Sequence, residues 1–160
     1  EPLLHGGNHE AGLRSGTLNV PAIVGFGCAA EIATREFDYD VKRISELTAR
    51  FYQKLSAVVN GVSLNGPSLE RRLPGNLNIR IEGVQSAKLI GKVNTRVAIS
   101  TSSACQSQNG GLSHVLRAIG LWPEQQRECI RIGVGRFNSA EEIDLAIEIL
   151  AKVALQIRNE

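Results

Sequence analysis

Two long stripes of apolar residues at helical spacing limit what this chain can fold into more than any other feature. Val41, Ile44, Leu47, Thr48, Phe51, Leu55 and Val58 recur with a period near that of an α-helix, and the opposite face of the same segment is charged. That predicted helix stops at Asn60-Gly61. Ser139 opens a second long helix with a capping box completed by Glu142, and Ile143, Ile147, Leu150, Ala154 and Ile157 share one of its sides. Each stripe has to be buried, and between them the pattern changes to short β-like runs at 62–64, 76–81, 97–100 and 129–134. The expected class is α+β, with about four short, mostly antiparallel strands packed against long helices.

Shorter elements fill the remainder. Asn19 is placed to cap a helix with Pro21 in its first turn and with Ile23, Val24, Gly27 and Ala30 along one side. Brief helices are predicted at 86–93 and 113–119. At 160 residues the chain can bury a core of its own, and no repeat or linker divides it. A formal charge of +2 gives no electrostatic argument for a nucleic-acid or membrane partner, and no apolar run reaches the length of a membrane span. Cys28, Cys105 and Cys129 stand too far apart for a redox pair, which favours a reducing, cytoplasmic setting. Cys28 and Cys129 lie on patterned elements and are expected in the core. The chain starts at Glu1 and has no methionine, so a piece of a longer protein is expected.

Three segments carry residues suited to chemistry. Gly6, Gly7, Gly12 and Gly16 mark an opening loop that turns tightly, and its backbone N–H groups with Ser15 and Thr17 would favour an anion. Its sequence fits neither G-K-[ST] nor G-x-G-x-x-G. His5 and His9 are four apart, but Gly6-Gly7 between them argues against a helix and so against a metal pair. Cys105 sits in the long polar stretch 100–111, among small and hydroxyl-bearing residues and ahead of Gly110 and Gly111. It reads either as a nucleophile with room to swing or as an unreactive cysteine in a loop. Arg131, between Ile130 and Ile132, reads either as a solvated residue on an antiparallel strand or as a bidentate clamp on a carboxylate.

Five segments together resemble the cysteine desulfurases of the NifS/IscS type, within the class-V aminotransferases and the fold-type-I pyridoxal-phosphate enzymes. They are H-G-G-N-H-E-A-G-L-R-S-G-T-L at 5–18, R-L-P-G-N-L-N-I at 72–79, S-T-S-S-A-C at 100–105, H-V-L-R-A-I-G-L at 114–121 and I-R-I-G-V-G-R-F at 130–137. The resemblance implies that residues 1–18 are a glycine-rich cofactor and dimer-interface loop from the end of a large domain. Residues 19–160 would be a helix leading into the C-terminal small domain, which carries the cysteine loop. It also implies that Cys105 forms the persulfide, that Arg131 holds the substrate carboxylate, and that Thr17 reaches the phosphate of pyridoxal phosphate bound in the other subunit of a homodimer. Asn76, with Asn78, falls on the substrate side. L-cysteine would be converted to alanine with the cofactor as electron sink. The sulfur would pass to an acceptor or scaffold protein for iron–sulfur cluster assembly or thio-modification.

Three positions depart from the family pattern. Glycine is common where Asn8 and Ser102 stand, and a basic residue is common at Ala11. The cofactor's lysine, the aspartate at its ring nitrogen and the histidine stacked on its ring would all precede residue 1. Lys42, Lys54, Lys88, Lys92 and Lys152 lie in the wrong motifs to replace that lysine. The expectation is therefore a desulfurase portion that is inactive alone. Its rivals are a stand-alone persulfide carrier and a related lyase or aminotransferase without sulfur chemistry.

Overall fold

The computed structural model describes residues 4–101 and 112–160. They form helix α1 (Val20–Val58), strand β1 (Val62–Leu64), strand β2 (Asn76–Ile81), helix α2 (Ser86–Val93), strand β3 (Ser100–Thr101), the short helices α3 (His114–Ala118) and α4 (Pro123–Gln126), strand β4 (Cys129–Gly133) and helix α5 (Ala140–Arg158). The chain divides into two compact units, Glu1–Asp38 and Tyr39–Glu160.

The second unit holds the sheet, a four-stranded antiparallel one with strand order β1-β2-β4-β3. Alternation along the strands gives it one apolar and one polar face. Leu77, Ile79 and Ile81 of β2 and Ile130 and Ile132 of β4 point to the same side. There they form a single core with Leu47, Phe51, Leu55 and Val59 of the α1 segment and its end, Leu89 and Val93 of α2, and Ile143, Ile147, Leu150, Ala154 and Ile157 of α5. The expected α+β class and antiparallel strands are thus present. The capping box of α5 is also present: the Glu142 N–H donates to Ser139 Oγ (3.2 Å) and the Ser139 N–H to the Glu142 carboxylate (3.1 Å). Asp144 joins α5 to the α1 segment, accepting from Arg50 Nε and Lys54 Nζ at 2.8 Å each. These hydrogen bonds, Arg50's first, hold its carboxyl well below the usual range. Such exposed pairs fix geometry more than they add stability.

Several expectations need correction. The two helices foreseen on either side of residues 31–40 are one, because that stretch has neither glycine nor proline and nothing in it stops helix propagation. The buried stripe ends on Val59, wholly buried, and not on Val58, which is 56% exposed. The strand foreseen at 97–100 is displaced to Ser100–Thr101; Val97 and Ile99 pack against the core without pairing. Helix α4 was not foreseen, although Pro123 at its first position followed by Glu124 is a recognisable start.

In the first unit Asn19 caps α1 as expected, its Oδ1 accepting from the Ala22 N–H at 3.2 Å. Cys28 is exposed there, contrary to the expected core placement. Among the described residues of this unit only Ser15 is buried, and Val20, Ile23, Val24 and Phe26 are exposed with Cys28. Periodicity tells which residues share a helix face and not what covers that face.

Candidate functional site

The polar face of the sheet gathers the residues of interest. The register sets Asn76 opposite Gly133, Asn78 opposite Arg131, and Arg80 opposite Cys129, while Ser100 of β3 lies on the other side of Arg131. Asn65, just past β1, extends the central row, its N–H donating to the Asn78 carbonyl at 2.9 Å. One row therefore runs Asn65, Asn78, Arg131, Ser100 across the whole sheet. It passes from buried Asn65 (8% exposed) through half-buried Asn78 to exposed Arg131.

Asn76 and Arg131 both line an open depression of about 360 Å³, with Leu73, Pro74 and Gly75 on one flank. The chain enters that flank through a tight turn. Gly75 has φ +75°, and its carbonyl accepts from the Val134 N–H at 2.9 Å, which continues the pairing of β2 with β4. Arg72 secures the preceding loop, its guanidinium donating to the carbonyls of Asn65 (2.8 Å) and Pro67 (3.0 Å). Sequence reasoning did not single out Asn65, and it gave Arg72 no role beyond heading the 72–79 motif. The signal for both was the Asn65-Gly66-Pro67 turn followed by the adjacent Arg71 and Arg72 before Pro74.

Cys129 is buried as expected, but on the polar face. Its thiol donates to the Gln125 carbonyl (3.1 Å) and its sulfur accepts from Asn65 Nδ2 (3.2 Å). Burial pushes the thiol pKa up from 9.0 to about 11, against a lowering contribution from Asn65. The unfolded thiol ionises near pH 9 and the folded one near 11. The folded state therefore keeps its full advantage below pH 9 and loses it as pH rises from 9 to 11. Unfolding free energy measured across that range should fall with pH in the wild type and fall less in Cys129→Ala. Iodoacetamide at neutral pH should label Cys28 in the native protein and reach Cys129 only through unfolding.

In the first unit the glycine-rich loop closes on itself. The Gly16 N–H donates to the Gly7 carbonyl (2.9 Å), and Arg14 Nη1 donates to the carbonyls of Gly16 (3.0 Å) and Thr17 (3.1 Å). Glu10 and Ala11 both take left-handed angles, φ +50° and +52°, which cost about 1 kcal/mol or more each for non-glycine residues. Thr17 is exposed. His5 and His9 lie outside any helix, and no group of three or more His, Cys, Asp or Glu suited to a metal occurs among the described residues. Cys105 lies outside the described residues; β3 ends four residues before it in sequence.

All five lysines are exposed on α1, α2 and α5, and two of them are held in ion pairs, Lys54 with Asp144 and Lys92 with Glu160. These residues do not fit a site that would bind an aldehyde cofactor through a lysine. What the sheet face does offer is Arg131 beside amides, with the other arginine of that face, Arg80, paired to Glu128, which suits a small carboxylate.

The chain belongs to the class-V aminotransferase family, whose pattern it matches over residues 5–145. Members of that family that it resembles are cysteine desulfurases. It is 43% identical over 156 residues to the cysteine desulfurase IscS of Anaeromyxobacter sp. (strain K), covering 98% of this chain and 38% of that protein. To the mitochondrial cysteine desulfurase of Arabidopsis thaliana it is 42% identical over 159 residues, covering 99% and 35%. A solved NifS-like protein shares its fold with a TM-score of 0.79 at 31% identity, over 95% of this chain and 38% of the other. The chain thus spans well under half the length of these relatives. No helix among the described residues is long and apolar enough to cross a membrane.

Proposed function

We propose that this chain is the C-terminal part of a pyridoxal-phosphate-dependent cysteine desulfurase, in which Arg131 holds the carboxylate of L-cysteine and Cys105 takes its sulfur. The observation that carries this reading is the exposed Arg131 at the centre of the polar sheet face, paired directly with the strand that leads into the Cys105 segment. A thiolate at Cys105 would use its electron pair to form a bond to the substrate sulfur. The carbon–sulfur pair stays with the substrate carbon, which takes a proton to give alanine, and Cys105 is left as a persulfide. The cofactor supplies the electron sink that makes that carbon–sulfur bond breakable, and residues outside this chain hold it. Residues 1–18 form the loop from the end of the large domain, with Thr17 facing the cofactor phosphate of a second subunit. Residues 19–160 lead into and make up the small domain. A homodimer, delivery of sulfur to an acceptor or scaffold protein, and a cytoplasmic location complete the reading.

The exposed lysines favour one second reading, a carrier that accepts persulfide at Cys105 from a separate enzyme. Incubation with L-cysteine and pyridoxal phosphate, with and without the remaining length of a related desulfurase, separates the two. Peptide mass spectrometry should find one added sulfur atom on Cys105, with release of alanine, only when that remaining length is present. Alanine release that persists in Cys105→Ala would overturn the role given to Cys105. Sulfur received by the chain alone from a persulfide donor would favour the carrier.

A further inference from the structure

Glycine weakens a strand, through the entropy it loses and the side chain it fails to pack, so a glycine in a paired strand needs a reason. Gly133 stands on β4 two residues beyond Arg131, and the usual structural reasons do not apply to it. There is no bulge, because the register runs unbroken from Arg80 opposite Cys129 to Asn76 opposite Gly133, and the Val134 N–H continues it to the Gly75 carbonyl. There is no left-handed turn, because Gly133 lacks the positive φ found at Gly75. Nor does anything in the chain crowd it: among the described residues, a Cβ at Gly133 would meet no atom within 4 Å. The same atom at Gly75 would lie 2.1 Å from the Val134 carbonyl oxygen.

The remaining reason for a strand glycine is a molecule that comes close to the backbone. Alternation puts the place of the missing side chain on the polar face, on the same side as Arg131 and about 7 Å from it along the strand. Both residues line the open depression of about 360 Å³, together with Asn76 across from Gly133. In the other direction from Arg131 the face is filled. Two residues back stands the buried Cys129, and opposite it Arg80 is paired with Glu128. A carboxylate held by the guanidinium therefore has its free space over Gly133, where the rest of the molecule can lie against bare backbone.

We propose that Gly133 is a specificity-determining residue, which keeps clear the space beside Arg131 where the α-carbon and side chain of a small amino acid lie. This rests on the assignment of Arg131 to a substrate carboxylate, and adds to the charge of the ligand a limit on its size. A bare carboxylate needs Arg131 alone; a carboxylate that carries a body needs the gap as well. Strand stability is given up to leave that gap, so filling it should make the fold firmer and the site narrower.

The test is a titration of the full chain with formate and with L-alanine, followed by NMR at the backbone N–H signals of Asn76 and Ile132, which line the depression. In the wild type both ligands should shift these signals along saturating curves, and Arg131→Ala should abolish both responses. Gly133→Ala should weaken L-alanine binding roughly tenfold, the scale of one misplaced methyl group in a pocket, and Gly133→Val should weaken it further. Formate should bind both variants as it binds the wild type, and their thermal midpoints should equal or exceed the wild-type value. Unchanged L-alanine binding in Gly133→Val, with formate still bound, refutes the gap and leaves the carboxylate assignment of Arg131 standing. An equal loss of formate and L-alanine in Gly133→Ala, or a lowered midpoint, also refutes it, since either gives Gly133 a task other than making room. If the wild type shows no saturable shift with either ligand, or Arg131→Ala titrates as wild type, the Arg131 assignment fails and the role of Gly133 with it.

Discussion

Gly75→Ala should lower the unfolding free energy by on the order of 3–4 kcal/mol, seen as a shift of the urea midpoint at unchanged m-value. Two costs add at this position. The backbone sits at φ +75°, where a side chain is strained. A methyl group would also fall 2.1 Å from the Val134 carbonyl oxygen and 2.9 Å from Ile44 Cγ2. The first contact is with backbone and cannot be relieved by a rotamer change. Gly61 makes a useful comparison, with φ +70° and a nearest contact of 3.0 Å to the Glu82 side chain. Gly61→Ala should therefore cost the strain alone, about 1 kcal/mol. An equal loss at the two positions would show that the close approach at Gly75 is not what holds the turn. Because the Gly75 carbonyl also bonds the Val134 N–H, the substitution should open the flank of the depression that contains Asn76 and Arg131.

With the remaining length of a related desulfurase supplied, as the proposed function requires, Arg131→Ala should raise KM for L-cysteine by roughly a hundredfold, with a much smaller change in kcat, the signature of lost uniform binding. The scale is that of removing one partner of a charged, hydrogen-bonded pair, about 2–5 kcal/mol. Arg131 is exposed and packs little, so the thermal midpoint should barely move. Arg131→Lys keeps the charge but loses the fork, and should recover only part of the loss. A KM unchanged in Arg131→Ala would remove the substrate from this face of the sheet.

The parts of the fold that were legible are those where a local rule and burial agree. The stripe of α5 and its Ser139/Glu142 cap could be read directly, as could β2 and β4, because apolar alternation in each strand matches one buried face. The failures have physical causes. The continuity of α1 through residues 31–40 follows from an absence of breakers, which is weaker evidence than a cap. Cys28 was assigned by periodicity alone, and no local pattern reports what lies against a helix. Of the site, Arg131 and Asn76 could be named through resemblance, and the register then placed them on one face. The Asn65–Cys129–Gln125 chain was not legible, since its members come from three separate segments and only strand pairing brings them together. The strand pattern did indicate that Cys129 is buried, but not that its sulfur faces the polar side.

The strand order carries a consequence for how the molecule comes into being. β4, the last strand in sequence, lies between β2 and β3, so β3 has no strand neighbour and β2 has only β1 until residues 129–133 have been synthesised. During translation the hairpin of β1 and β2 can close early, whereas Ser100–Thr101 must wait as an unpaired edge. The row that includes Arg131 is therefore completed late. A ribosome stalled before residue 129 would hold a chain with its first hairpin and much of its helix, yet without the strand that carries Arg131.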